Sequence, residues 1–172
     1  MGKFIGGLIL GLILIPLCIY LYFVTGMAPV ATAAQAMPFE RMLARRALHE
    51  RVEKEMPKDA PPVGADEANL AAGAQIYIAN CAVCHGLPLT PTTAIANGMF
   101  PSPPTLLEGK GVTDDPVGET YWKVANGIRL SGMPAFQQSL NTTQMWQVSQ
   151  LLANANKLPT SVKQGLVSGP SH

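Results

Sequence analysis

The chain has few of the residues that catalytic and metal-binding frameworks draw on. Of its 172 residues, three are cysteine and three are histidine, and only 13% are charged. One cysteine, Cys18, sits in an apolar run, so a domain built by the rest of the chain stands without disulfides. A zinc centre wants four ligands, and no second set of Cys or His residues is available to complete one. No β-type alternation or internal repeat occurs, which removes the βαβ setting that a thiol-redox Cys-x-x-Cys requires. The net charge of +1 offers no basic excess for a nucleic-acid partner. No acid/base pair accompanies the cysteines, so nothing points to a small-molecule substrate or to an enzyme in its own right.

What remains is concentrated at Cys81-Ala82-Val83-Cys84-His85. Two thiols three residues apart, on a chain leaving a helix, can each form a thioether to one vinyl group of a porphyrin. The adjacent imidazole can then reach the iron. The motif therefore reads as the site of one covalent haem c, attached through Cys81 and Cys84 with His85 as an iron ligand.

The N-terminus is the second strong feature. From Phe4 to Val24, 21 consecutive residues carry no charge, enough as a helix to span a hydrocarbon core of about 30 Å. Pro16 would only kink such a helix in lipid. The run exceeds the h-region of a cleaved signal, and the Ala34-Gln35-Ala36 that could mimic a cleavage site lies far beyond it. Around Cys18 the small residues expected before a lipidated cysteine are missing. Residues 1–25 are thus expected to be a cytoplasmic N-terminus and retained transmembrane anchor. Lys3 lies on one side and no Lys or Arg occurs on the other before Arg41, which orients the rest of the chain outward.

Residues 26–65 read as a linker. Within it, 38–56 carries alternating charge and good helix formers, with Phe39, Met42, Leu43, Val52 and Met56 forming an imperfect apolar stripe. This segment is expected to be a solvated spacer helix, with docking against a membrane or partner subunit as the sharper alternative. Pro57, Pro61 and Pro62 place the domain boundary near residue 65. A helix is predicted over 66–80, capped by Asp66, with Leu70, Gly73, Ala74 and Tyr77 on one face. Gly73 implies that another helix crosses there. Residues 86–117 form a proline-rich loop long enough to wrap a ligand. Helices are predicted over 118–128, closed by Gly127, and over 142–156, capped by Asn141 or Thr142 and ended by Leu158-Pro159. Residues 160–172 look like a flexible tail.

A six-coordinate iron needs a second axial ligand, and Met99, Met133 and Met145 are the soft candidates in the domain. Met133 is preferred because Ser131-Gly132-Met133-Pro134 can present a thioether from a fixed loop. Met145 falls in a helical apolar stripe, and Met99 lies only fourteen residues past His85. Trp122, Trp146, Tyr77 and Phe136 are read as packing residues. A filled iron lacks the vacancy that oxygen chemistry needs, which favours electron transfer. A haem-based sensor or peroxidase with an open iron is the alternative.

Residues 66–159 resemble a class I c-type cytochrome. The resemblance rests on Leu70, Gly73, Tyr77, Cys81-Ala82-x-Cys84-His85-Gly86, Pro104-x-Leu106, Asn126-Gly127 and Gly132-Met133-Pro134. It implies an all-α fold: a small cytochrome c domain wrapped around one haem, here preceded by a single transmembrane helix. It also implies His85 and Met133 as axial ligands, and first and last helices crossing near Gly73 and Tyr77. A proline carbonyl, Pro104 or its neighbours Pro101 and Pro103, is expected to accept the His85 ring N–H. Family members carry haem on the outer side of bacterial membranes, so the haem domain is expected in the periplasm, anchored to the inner membrane. The expected function is single-electron transfer as a subunit or close partner of a bacterial respiratory or dehydrogenase complex. The lysine ring of mitochondrial cytochrome c is absent: four basic residues face six acidic ones between Asp66 and Pro159. A tethered carrier can replace steering charge with effective concentration.

Overall fold

The computed structural model describes residues 1–167, all helix and loop, with no strand among them. Helix α1, Gly2–Val24, is apolar along its whole length and continues through Pro16 without a break. At 1.5 Å per residue it is about 34 Å long, enough to cross a bilayer. The chain divides into two compact units, residues 1–43 and a second that begins at Ala44.

The second unit starts within helix α2, Glu40–Glu55. Linker composition led us to expect the boundary near residue 65, but the compact unit starts some twenty residues earlier. Val52 is 2% exposed, whereas Phe39, Met42 and Leu43 are open to solvent. The inward positions are Leu48, Val52 and Met56, spaced i, i+4 and i+8. The spacer reading therefore describes only the outer face, where Arg46–Glu50 and Arg51–Glu55 pair at 2.8 and 2.7 Å.

Helix α3, Glu67–Asn80, begins where Asp66 accepts a hydrogen bond from the Asn69 backbone N–H at 3.0 Å. That bond holds the Asp66 carboxyl below the usual aspartate range. The buried face is Leu70, Gly73, Ala74 and Tyr77, as the pattern predicts. Single turns follow at α4, Ala82–His85, and α5, Ala94–Asn97. The long loop thus contains a helical turn that its proline content conceals. Helix α6 spans Val117–Asn126 and α7 spans Thr142–Ala153, the latter opened by an Asn141–Gln144 capping box.

Helix α3 packs on α7 at Gly73, where a Cβ would run into the Gln147 carbonyl oxygen and lie 3.1 Å from Leu151 Cβ. Helix α6 packs on α7 as well, with Tyr121 stacked on Trp146 at 4.1 Å.

Residues 160–167 correct the expectation of a flexible tail. They form helix α8, Thr160–Val167, which lies against α3 and buries Val162 and Leu166. Pro159 stands just before this helix, where its carbonyl accepts from the Lys163 N–H at 3.0 Å and its missing N–H costs nothing. Ser161 hydrogen-bonds Glu67 at the start of α3. The rest of the expected tail, 168–172, lies outside the described residues.

Candidate functional site

The Cys81–His85 turn is built by α3. Its last turn continues into α4 through bonds from the Cys84 and His85 N–H groups to the Cys81 carbonyl, at 3.1 and 2.9 Å. Gly86 then reverses the chain at φ 77°, a left-handed conformation that glycine adopts without penalty. The fully buried Tyr77 fixes this exit by donating from its hydroxyl to the Gly86 carbonyl at 2.9 Å. Burial, with Cys81 beside it, raises the Tyr77 phenol above its ordinary value. Thr93, the cap of α5, donates to the Val83 carbonyl at 2.6 Å and ties the following loop back onto the turn.

His85 is oriented from the loop. Its Nδ1 lies 2.8 Å from the Pro104 carbonyl oxygen, the partner preferred among the three prolines considered. With the proton on Nδ1 donated to that carbonyl, Nε2 keeps its lone pair for a metal.

Met133 is positioned by the end of α6. The Ile128 N–H donates to the Met133 carbonyl at 3.1 Å, and the Phe136 N–H donates to the Val124 carbonyl at 3.0 Å, laying the 131–137 loop across the helix terminus. Gly127, at φ 66°, allows the approach: a Cβ there would meet Pro134 and Ala135 backbone atoms at 2.7 Å. Ser131 braces the loop by donating from Oγ to the Ile128 carbonyl and accepting from the Met133 N–H.

These pieces meet in one apolar cavity of about 270 Å³. Cys81, Cys84, His85, Pro104 and Met133 all line it. Met99 lines it too, with its side chain lying where a Cβ on Gly132 would be. Met145 is instead buried in the α7 core. Phe136 belongs to the cavity wall, while Tyr77 and Trp146 are core residues. Among the wall residues that sequence reasoning did not place there are Leu48 from α2, Thr120 from α6 and Leu152 from α7. For α2, the Leu48-Val52-Met56 spacing was a signal, but one that competed with Phe39-Met42-Leu43 on another face. Burial, reinforced by Cys84, pushes the Cys81 thiol up to about 12.

The residues fit a haem. A soft thioether and an imidazole with an oriented ring face one apolar space, alongside two thiols. The Thr120 Oγ1 in that wall is buried with no hydrogen-bond partner among the described residues. An orphan of this kind costs about 1–3 kcal/mol unless something else satisfies it. Among the described residues no three His, Cys, Asp or Glu side chains gather as a separate metal site.

An all-helical unit carrying this motif is a class I c-type cytochrome domain. Residues 68–152 match the protein family described as cytochrome C oxidase, cbb3-type, subunit III. Domains of this kind serve haem-based electron transfer. A search of curated proteins finds no match.

Proposed function

We propose that the chain is a membrane-anchored monohaem c-type cytochrome that passes single electrons as a subunit or close partner of a bacterial membrane electron-transfer complex. The observation that carries this reading is the convergence of Cys81, Cys84, His85 and Met133 on one apolar cavity, with His85 Nδ1 held on Pro104. Haem bound there supplies reversible one-electron chemistry at iron. Cys81 and Cys84 would hold it covalently, and the Pro104 carbonyl on Nδ1 would leave the His85 Nε2 lone pair for the iron. Met133 would supply the second iron ligand from a loop braced at Ile128, Val124 and Ser131. The apolar walls keep water from the site.

Helix α1 is the anchor, supported by its length and by apolar residues open on all sides. Lys3 keeps the N-terminus in the cytoplasm, and the haem domain faces the periplasm from the inner membrane. Docking to redox partners relies on apolar contact, since Pro134 and Ala135 beside Met133 are exposed and basic residues are sparse.

An optical spectrum of the purified membrane fraction, oxidised and reduced, with and without carbon monoxide, tests the reading. A reduced c-type band, a weak sulfur-to-iron band in the oxidised form and no response to carbon monoxide are expected. A carbon monoxide shift would mean an open iron, and sensing or peroxidase chemistry would replace electron transfer.

A further inference from the structure

Helix α2 lies outside the region matched to the family, yet it is built into the site. Leu48 is half-buried in the cavity wall, and one turn on Val52 is buried to 2% exposure. Past the helix, the Pro57 carbonyl oxygen rests on Gly118 of α6, where any Cβ would collide with it. Gln150 of α7 then donates from Nε2 to the Val63 carbonyl at 2.7 Å. Burial of Val52 and these two contacts therefore hold the segment, with Pro57 and Val63 set against α6 and α7, which carry other parts of the wall.

We propose that Leu48 is a cofactor-contacting residue and that α2, held by Val52, Pro57 and Val63, is a clasp that keeps water from the haem and sets its potential. The inference rests on reading the cavity as the haem site. An oxidised haem iron carries one more positive charge than a reduced one, so an apolar wall disfavours the oxidised form and raises the potential. Leu48 contributes to that wall, and the Arg46–Glu50 pair lies on the helix's solvent side.

The test is a potentiometric titration of the detergent-solubilised full chain carrying Leu48→Asp or Leu48→Lys. Both variants remove the apolar contact, and only proximity to the iron lets their opposite charges separate the two potentials by a wide margin. The Lys variant should have the higher potential, separated from the Asp variant by about tenfold in the equilibrium constant against one mediator, which is about 59 mV for a one-electron couple. Arg46→Glu reverses the same two charge units on the outer face and should shift that constant by under about twofold, or about 18 mV. Equal potentials for the two Leu48 variants, or an Arg46→Glu shift as large as theirs, would overturn the inference.

Should the charged variants fail to assemble, Leu48→Ala is oxidised with ferricyanide, each reduced haem giving one electron to form ferrocyanide. A rate several-fold above that of the unaltered chain is expected, and an unchanged rate and potential would refute the clasp. An unaltered chain without attached haem would overturn the proposed function itself, and this inference with it.

Discussion

Gly73→Ala isolates the contact on which the domain's main helix crossing depends. The substitution has a favourable side, because alanine inside a helix is intrinsically better than glycine by about 1 kcal/mol. Against it stands the new Cβ, which would run into the Gln147 carbonyl oxygen and lie 2.8 Å from that carbonyl carbon. These are backbone atoms within α7 and cannot rotate away, so α3 and α7 must separate. Overpacking costs about 1–3 kcal/mol, and a clash with fixed backbone atoms belongs at the upper end, about 2–3 kcal/mol. Separation also loosens Leu151, which is fully buried at the same crossing. We expect net destabilisation of about 1–2 kcal/mol and a Tm lowered by roughly 3–10 °C.

The assay is thermal unfolding of the haem-loaded chain followed by circular dichroism. Gly165→Ala in α8 serves as its control, since no atom of the described residues lies within 4 Å of the Cβ position. The control should gain about 0.5–1 kcal/mol from helix propensity alone. A Gly73→Ala protein as stable as the unaltered chain would show that the crossing is looser than described and would sink the close-approach argument.

Met133→Ala should leave haem attached while the sulfur-to-iron band disappears, the potential falls and carbon monoxide binds; an unchanged spectrum and potential would assign the ligand elsewhere, with Met99 next in line. Leu166→Ala empties a fully buried position and should cost about 2–5 kcal/mol in chemical denaturation, whereas a loss near zero would return α8 to a frayed tail. Asp66 predicts a pH effect of definite sign. Its carboxyl is held below the ordinary value by the Asn69 N–H, so its contribution is present above the unfolded value near 3.8 and is lost as pH falls through the lower folded one. Asp66→Asn should therefore flatten the acid limb of a stability profile below about pH 4, and parallel profiles for the two proteins would refute the cap's electrostatic role.

The parts of this molecule legible in its sequence are those fixed by short-range chemistry. Asp66 and Asn141 cap their helices because a side-chain oxygen can reach an N–H three residues ahead whatever surrounds it. Gly73 was legible for a similar reason, since a glycine amid good helix formers implies close approach. The fold around the cysteine motif followed. Pro159 misled because proline is compatible with a helix's first turn as well as with a helix's end, and only Val162 and Leu166 docking on α3 decides between them.

Helix α2 marks the limit of such reading. Its apolar residues fall into two groups out of phase with each other, Phe39-Met42-Leu43 and Leu48-Val52-Met56, and periodicity alone cannot say which is covered. The answer lies far along the chain, in a glycine at position 118 that leaves room for Pro57 and a glutamine at 150 that bonds to Val63. Neither residue carries a local signature of its partner. The same holds for the cavity wall, where Leu48 and Thr120 join Cys81, Cys84 and His85 only through tertiary packing. Residues that react with a cofactor are constrained in type and spacing and so can be read directly. Those that exclude water from it need only be apolar and in the right place, and that place exists only once α2, α6 and α7 have come together.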